Sequence, residues 1–269
     1  MNELQQCEFS ILKSFIDICE RLKLNYYLVC GSALGAVKYQ GFIPWDDDVD
    51  VALLREDYEI FVEKAPQLFP EHLFLQNHYS EPACPFIYSK LRDSNTAFIE
   101  KSSADLPIHQ GVYIDIFPLD GYPDSNFAAL LFESKKFIYH RLLVAVYQQP
   151  TRLKALLALP FRLLGVRRWY PHVTERYCQL VKKYKTAASS LYCNHGNWQG
   201  RLEYAPKEQY QNGTDAYFEG LKVRIPENYD EYLTQKYGDW RADLPADEQR
   251  GHHFYLVCDL EKSYVNYVK

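Results

Sequence analysis

The sequence predicts an α/β (α+β) fold carrying a long basic helical insertion. Short apolar strands alternate with helices in the first half, residues 112–117 alternate apolar and polar, and residues 126–187 turn helical and cation-rich. A chain of 269 residues, 47% hydrophobic and 16% aromatic, can bury a sizeable core as one large domain or two small ones.

Each element has its own signal. Leu4, Cys7, Ile11, Leu12, Phe15, Ile18, Cys19 and Leu22 recur at helical spacing with charges between them, which predicts an amphipathic helix. "YYLVC" (26–30) reads as a buried strand ending at Gly31-Ser32, and "ALGAVKY" (33–39) as helix-compatible. Gly41 and Pro44 punctuate the loop that follows. "VDVALL" (49–54) is a strand and "REDYEIFVEKA" (55–65) its following helix. "LFLQN" (73–77) and "FIYSKLRD" (86–93) are strand-like. In "GVYIDIFPLDGYP" (111–123), Val112, Ile114 and Ile116 alternate with Tyr113, Asp115 and Phe117 before Pro118 is expected to stop the strand. Helical breaks are expected at Pro150, Pro160 and Pro171. "YFEGLKVRIP" (217–226) suggests a strand and "YDEYLTQKYGD" (229–239) a helix.

The net charge of −5 gives no reason to expect nucleic acid as a partner, but it hides an asymmetry. Residues 134–185 hold twelve Lys and Arg against Glu175 alone, about +11, which leaves about −16 on the rest. Such a segment points to an anionic surface or substrate, including peripheral contact with a membrane. The bland counterpart is a helical lid with a solvated basic face. Seven scattered cysteines without a C-x-x-C pair read as buried thiols of a reducing compartment. The start lacks a secretory pattern, and no run reaches the roughly eighteen apolar residues of a spanning helix. The cytoplasm, including the inner face of the cell membrane, is the expected location.

The stretch "GFIPWDDDVDVAL" (41–53) sets Asp46, Asp47, Asp48 and Asp50 directly before an apolar run. Adjacent carboxylates repel, and a desolvated charge must be paired or bound to a metal. A solvated acidic turn fits poorly, because Asp48 and Asp50 flank Val49 and run straight into the strand. A calcium loop is rejected, since the positions that need glycine and glutamate hold Val51 and Asp57. Residues two apart share a strand face, so Asp48 and Asp50 present paired carboxylates. With a third carboxylate from a neighbouring strand they suit a two-metal phosphoryl-transfer centre, and Asp115 is the natural third ligand.

Together, "CGSALGAVKYQGFIPWDDDVDVAL" (30–53) and "GVYIDIFPLDG" (111–121) resemble the LicD/fukutin family of phosphotransferases, within the nucleotidyltransferase superfamily. The resemblance covers roughly residues 10–125 and extends to "VRIPENYDEYLTQKYGDW" (223–240), while 126–187 matches no signature. It implies a nucleotidyltransferase-like mixed β-sheet flanked by helices. The expected division is a catalytic core at 1–125, a basic helical insertion at 126–187, and a C-terminal part at 188–269 packing back on the core.

By motif position, the resemblance makes Asp48, Asp50 and Asp115 the catalytic metal ligands for two Mg2+ or Mn2+ ions. Asp46, Asp47 and Trp45 would support them. Gly31-Ser32 would open a helix facing a donor's phosphates, as a helix N-terminus with free N–H groups can. Lys38, Lys90 and Arg92 are the cationic substrate-binding candidates, the last two on one strand face. His109 and Gln110 suit a turn, whereas Arg250, His252 and His253 reach the site only if the tail folds back. The implied reaction is transfer of phosphocholine, or a related phospho-alditol or phosphosugar. The donor would be a nucleoside diphosphate ester such as CDP-choline, and the acceptor a hydroxyl of a cell-surface glycan or its lipid-linked precursor. Nucleotidyl transfer, and a catalytically silent glycan-binding or membrane scaffold, are the alternatives.

Overall fold

The computed structural model describes residues 1–146, 152–197 and 200–268. Helix α1 (Glu3–Leu22) opens with a reciprocal cap, in which the Asn2 side chain accepts the Gln5 N–H and the Gln5 side chain accepts the Asn2 N–H. Its apolar face buries Ile11, Leu12, Phe15 and Ile18. Strand β1 (Tyr26–Leu28), helix α2 (Cys30–Lys38), strand β2 (Asp50–Leu54) and helix α3 (Arg55–Lys64) follow. Then come β3 (Leu73–Gln76), β4 (Ser89–Asp93), β5 (Ala97–Glu100) and the nine-residue β6 (Tyr113–Gly121), buried along its whole length. Helices α4 (Asn126–Val144), α5 (Arg152–Leu163) and α6 (Val166–Val181) form the insertion. The chain closes with β7 (Leu191–Asn194), β8 (Tyr204–Pro206), the hairpin β9 (Thr214–Phe218) and β10 (Leu221–Ile225), α7 (Tyr229–Tyr237) and β11 (Tyr255–Asp259).

The main sheet runs β1-β2-β6-β4-β3, with β7 added to the far half of β6 and β8 to β7, making seven strands. Only β2 and β6 are parallel within it, so the sheet is mixed. One hydrophobic core packs α1, α2 and α3 against this sheet, and a second joins α4 and α6 to Cys84, Phe86, Ile87, Leu106 and Ile108. The α+β class therefore holds, and strands from beyond residue 188 complete the sheet begun before residue 122.

Three local expectations are corrected. Strand β6 runs through Pro118 instead of ending there. Pro118 falls in a gap: β4 has its last partner at Ile116 and β7 its first at Leu119, so no ladder donor is needed on that side. Pro160 and Pro171 sit inside α5 and α6, and the break falls instead at Gly165, whose φ of 73° only glycine adopts freely. Pro150 lies outside the described residues. The stretch 217–226 is most of a hairpin, turning at Glu219-Gly220 with φ of 50° and 78°. Five cysteines are buried thiols, but Cys7 is half-buried and Cys258 exposed.

At the far end of β6, the Asp120 carboxylate accepts two bonds of 2.7 Å from Arg55 at the start of α3, both groups buried. This pair ties α3 to the central strand. Replacing Asp120 by Ala leaves the buried guanidinium with only the partly exposed Glu59, 3.0 Å away, and should cost roughly 1.5–3 kcal/mol in urea unfolding. A loss under about 1 kcal/mol, the range of exposed pairs, would show that Arg55 had found water instead.

Candidate active site

Register brings the charged residues together. Asp50 on β2 pairs with Asp115 on β6, and Lys90 on β4 pairs with the same Asp115 from the other side. Three neighbouring strands thus carry Asp50, Asp115 and Lys90 abreast, all buried. Lys90 Nζ lies 2.8 Å from Asp115 Oδ1, and stands 3.3 Å from the Tyr113 ring centroid. Apart from Lys90, the buried Oδ1 has no donor among the described residues. Asp48 precedes the strand proper, yet the ladder already extends there, since Val49 accepts the Asp115 N–H at 2.8 Å.

The carboxylate oxygens of Asp46, Asp47 and Asp48 fall within 4.8 Å of one another. Burial and then the charges of Asp48 and Asp47 push Asp46 up to about 8. Burial likewise raises Asp48, with Asp115 and Asp47 adding to it while His253 and Lys90 oppose. Burial, Asp48 and Asp115 raise Asp50 well above the usual carboxylate range. So many desolvated carboxylate oxygens make a hard-oxygen set that fits a divalent cation.

Other elements hold this loop in place. Gln5 of α1 donates to the Asp46 carbonyl at 3.0 Å and the Ile43 carbonyl at 3.3 Å. The tail does fold back: β11 pairs with β5, and residues 251–253 wrap Asp47. Asp47 accepts the His252 N–H at 3.0 Å and the His253 N–H at 3.1 Å, and its Oδ1 lies 3.0 Å from His253 Nδ1. Gly251 makes room, because a Cβ there would lie 2.4 Å from Asp47 Oδ2. Burial opposes it, but these His253 and backbone donors keep the Asp47 carboxyl below its usual range. His253 Nε2 is also 4.0 Å from Asp48 Oδ2.

Two clefts meet at the carboxylates. The first, about 410 Å³, is bounded by Gly31, Lys38, Trp45, Asp46, Asp48 and Asp50 on one side and by residues 237–244 on the other. The second, about 330 Å³, is bounded by Lys90, Asp115, Glu100, Tyr88, His140 and Tyr177. His253 lines both. Glu100 is held below its usual range; burial opposes this, and Lys90, His253 and Arg92 outweigh it.

The remaining sequence candidates divide. Gly31 lines the first cleft and admits Asp46, whose Oδ2 would sit 2.8 Å from a Cβ at that position. Ser32 is buried and accepts the Asp50 N–H at 2.8 Å, so it anchors β2 to α2 and lines neither cleft. Lys38 Nζ donates to the carbonyls of Arg241 and Ala242 and lies 2.9 Å from Asp243, fixing the cleft's rim. Arg92 is fully buried, bonded to Gln76 and to the Gly111 carbonyl, behind Tyr113 rather than at either cleft. His109 is a buried turn residue, its Nδ1 accepting the Gly111 N–H at 3.1 Å between Phe74 and Tyr264. Gln110 is buried and donates to the Ser103 carbonyl.

Two participants were missed. Glu8 lies on the buried face of α1, raised well above its usual range by burial and then by Asp48, Asp47, Asp46 and Asp115. Its signal was a carboxylate midway between Leu4 and Leu12 on the apolar stripe. Tyr237 lines the first cleft, its hydroxyl raised well above the usual range by burial and then by Cys30, Asp50, Asp46 and Asp48.

The family model described as LicD/FKTN/FKRP, nucleotidyltransferase domain, matches residues 23–148, which span both the aspartate loop and Asp115. The lipopolysaccharide cholinephosphotransferase LicD of Haemophilus influenzae is 29% identical over 94% of this chain and 96% of its own. The domain match and the full-length similarity both point to the LicD family. Two uncharacterized rickettsial proteins, RT0683 of Rickettsia typhi and RP689 of Rickettsia prowazekii, share shorter segments. They are 34% identical over 22% of the chain and 33% over 23%, covering 19% and 22% of their own lengths. Among the described residues, no helix is long and apolar enough to cross a membrane.

Two outcomes follow from this geometry. Asp47→Ala strips His252 and His253 of their shared acceptor, so amide hydrogen exchange across 252–257 should quicken roughly 10–100-fold. Unchanged protection there would mean that β5–β11 pairing alone holds the tail. Burial and then Arg92 lower His109 from 6.5 to about 3. Below pH 6.5 the unfolded chain takes a proton that the fold refuses, so this contribution is intact above 6.5 and is lost as pH falls toward 3. His109→Gln should flatten the stability–pH slope in that window by up to about 1.4 kcal/mol per pH unit. Identical slopes would place His109 in contact with water.

Proposed function

We propose that this chain, a phosphotransferase of the LicD family, moves phosphocholine, or a related phospho-alditol or phosphosugar, from a CDP-type nucleoside diphosphate donor to a glycan hydroxyl. The acceptor is a cell-surface glycan or its lipid-linked precursor. The observation that carries this reading is the carboxylate set at the junction of two separate clefts, since group transfer needs a donor and an acceptor on opposite sides of one phosphorus.

In this reading the donor lies in the first cleft, with its diphosphate toward Gly31 and the aspartates. Trp45 and Tyr39, edge to face at 6.3 Å between centroids, offer aromatic surface to a nucleobase or to a quaternary ammonium. The acceptor hydroxyl enters from the second cleft and attacks the phosphorus distal to the nucleoside. An O–P bond forms as the bond to the nucleoside monophosphate breaks, and the hydroxyl proton passes to the Asp115 carboxylate. Lys90, 2.8 Å from Asp115 on the second-cleft side, places a positive charge beside the reacting centre. His253 and Asp47 hold the loop so that Asp48 keeps its position. Asp48, Asp50 and Asp115 are the residues that would hold Mg2+ or Mn2+, two ions, supplying charge neutralisation at the diphosphate and a lowered pKa for the hydroxyl. Peripheral contact of residues 134–185 with a membrane's inner face belongs to the same reading, because a lipid-linked acceptor is met at that surface.

The test is a donor panel with a glycan acceptor: CDP-choline, CDP-ribitol, CDP-glycerol and nucleotide sugars, with Mg2+ or Mn2+. CMP release with one donor, stopped by a chelator and lowered roughly 10²–10³-fold in Asp48→Asn, is the expected result. A nucleotidylated acceptor in place of free nucleoside monophosphate would mean nucleotidyl transfer. Full turnover by Asp48→Asn would sink the site, and absent donor and metal binding would leave a scaffold.

A further inference from the structure

We infer that the outer face of α4 and α5 is a docking surface for an anionic phospholipid bilayer. In α4 the exposed positions Phe127, Leu130, Leu131, Ser134 and Ile138 recur at three- and four-residue steps, a stripe along one side of the helix. Phe127 is 72% exposed and Leu130 65%. Ser134, the polar member, returns its hydroxyl to the Leu130 carbonyl at 2.8 Å, which satisfies its donor within the helix. Helix α5 repeats the pattern with Leu153, Leu156, Leu157, Pro160, Leu163 and Leu164, where Leu163 is 78% exposed. Both helices also bury residues, Phe132 and Leu143 from α4 and Ala158 from α5, in the second core. They are therefore apolar on two sides, and a helix in water has no use for the outer one.

The occupant follows from charge. Helix α6 packs on both α4 and α5 and exposes Arg168, His172 and Arg176 at four-residue steps, with Lys183 beyond its end. The whole segment carries about +11, so a second copy would bring a like charge against it. Exposed apolar stripes on two helices and exposed cations on a third helix packed against both match a surface that is apolar within and anionic at its boundary, which is a bilayer of acidic phospholipid.

The surface also has a direction. His140, Leu143 and Val144, on the C-terminal turns of α4, line the second cleft. Docking through α4 therefore brings the cleft assigned above to the acceptor beside the bilayer. A lipid-linked glycan could then present its hydroxyl without leaving the membrane. That orientation rests on the proposed acceptor; the docking itself does not.

The experiment is vesicle co-sedimentation of the full chain with phosphatidylglycerol/phosphatidylethanolamine vesicles, compared with phosphatidylcholine vesicles and across a salt series. Binding to the anionic vesicles only, falling steeply with salt, is expected. The variant Leu156→Ser/Leu157→Ser/Leu163→Ser should weaken it about tenfold or more, with an unchanged thermal midpoint. Arg168→Gln/Arg176→Gln should remove much of the salt dependence. Asp48→Asn should bind vesicles like the wild type, so docking and transfer succeed or fail separately. Wild-type protein that ignores anionic vesicles, or a leucine variant that binds them equally well, would overturn the proposal. So would a dimer in light scattering that the leucine variant abolishes, which would assign the face to a second copy.

Discussion

Crowded carboxylate charge at the end of a buried parallel strand pair is the constraint around which this protein is arranged. Asp46, Asp47, Asp48, Asp50 and Asp115 lie close together, with Glu8 beneath them, and burial makes their mutual repulsion stronger than it would be in water. The fold answers with few cations and many fixed donors. Lys90 meets Asp115, the tail meets Asp47, and Gln5 and Ser32 hold the backbone of the loop and strand. These contacts position the acids without cancelling their charge. The result is a preorganised anionic centre suited to cations and, through them, to phosphates.

The architecture also explains why two clefts share that centre. The parallel pairing of β2 and β6 sets Asp50 and Asp115 side by side, while the C-terminal segment closes each flank. Residues 237–244 form the far wall of the first cleft, and α4 with α6 roofs the second. His253, belonging to neither wall, stands where the two meet. A tail clasped onto Asp47 thus marks where one cleft ends and the other begins.

The insertion serves two surfaces at once. Its inward side chains extend the core and shape the second cleft, and its outward leucines and phenylalanines stay largely exposed. The same helices therefore connect the chemistry inside to whatever covers them outside. Gly165, turning left-handed between α5 and α6, sets the angle at which the cation-bearing helix meets the apolar one.

By itself, the sequence determined the helix-and-strand alternation of the first half, the acidic cluster leading into the strand at Asp50, Asp115 on a strand of its own, and the cation bias of the insertion. Each is a local pattern: a spacing, a period, or a composition. It could not separate Lys90 from Arg92, because two residues on one strand face look alike until packing buries one behind Tyr113. Nor could it tell that Ser32 faces Asp50, that Pro118 falls in a gap of the ladder, or that Glu8 belongs beneath the aspartates. Only the tertiary structure decided those points, and it alone brought His253 to Asp47 across 206 residues of chain. Contacts of that separation depend on strand order and register, which no local pattern encodes.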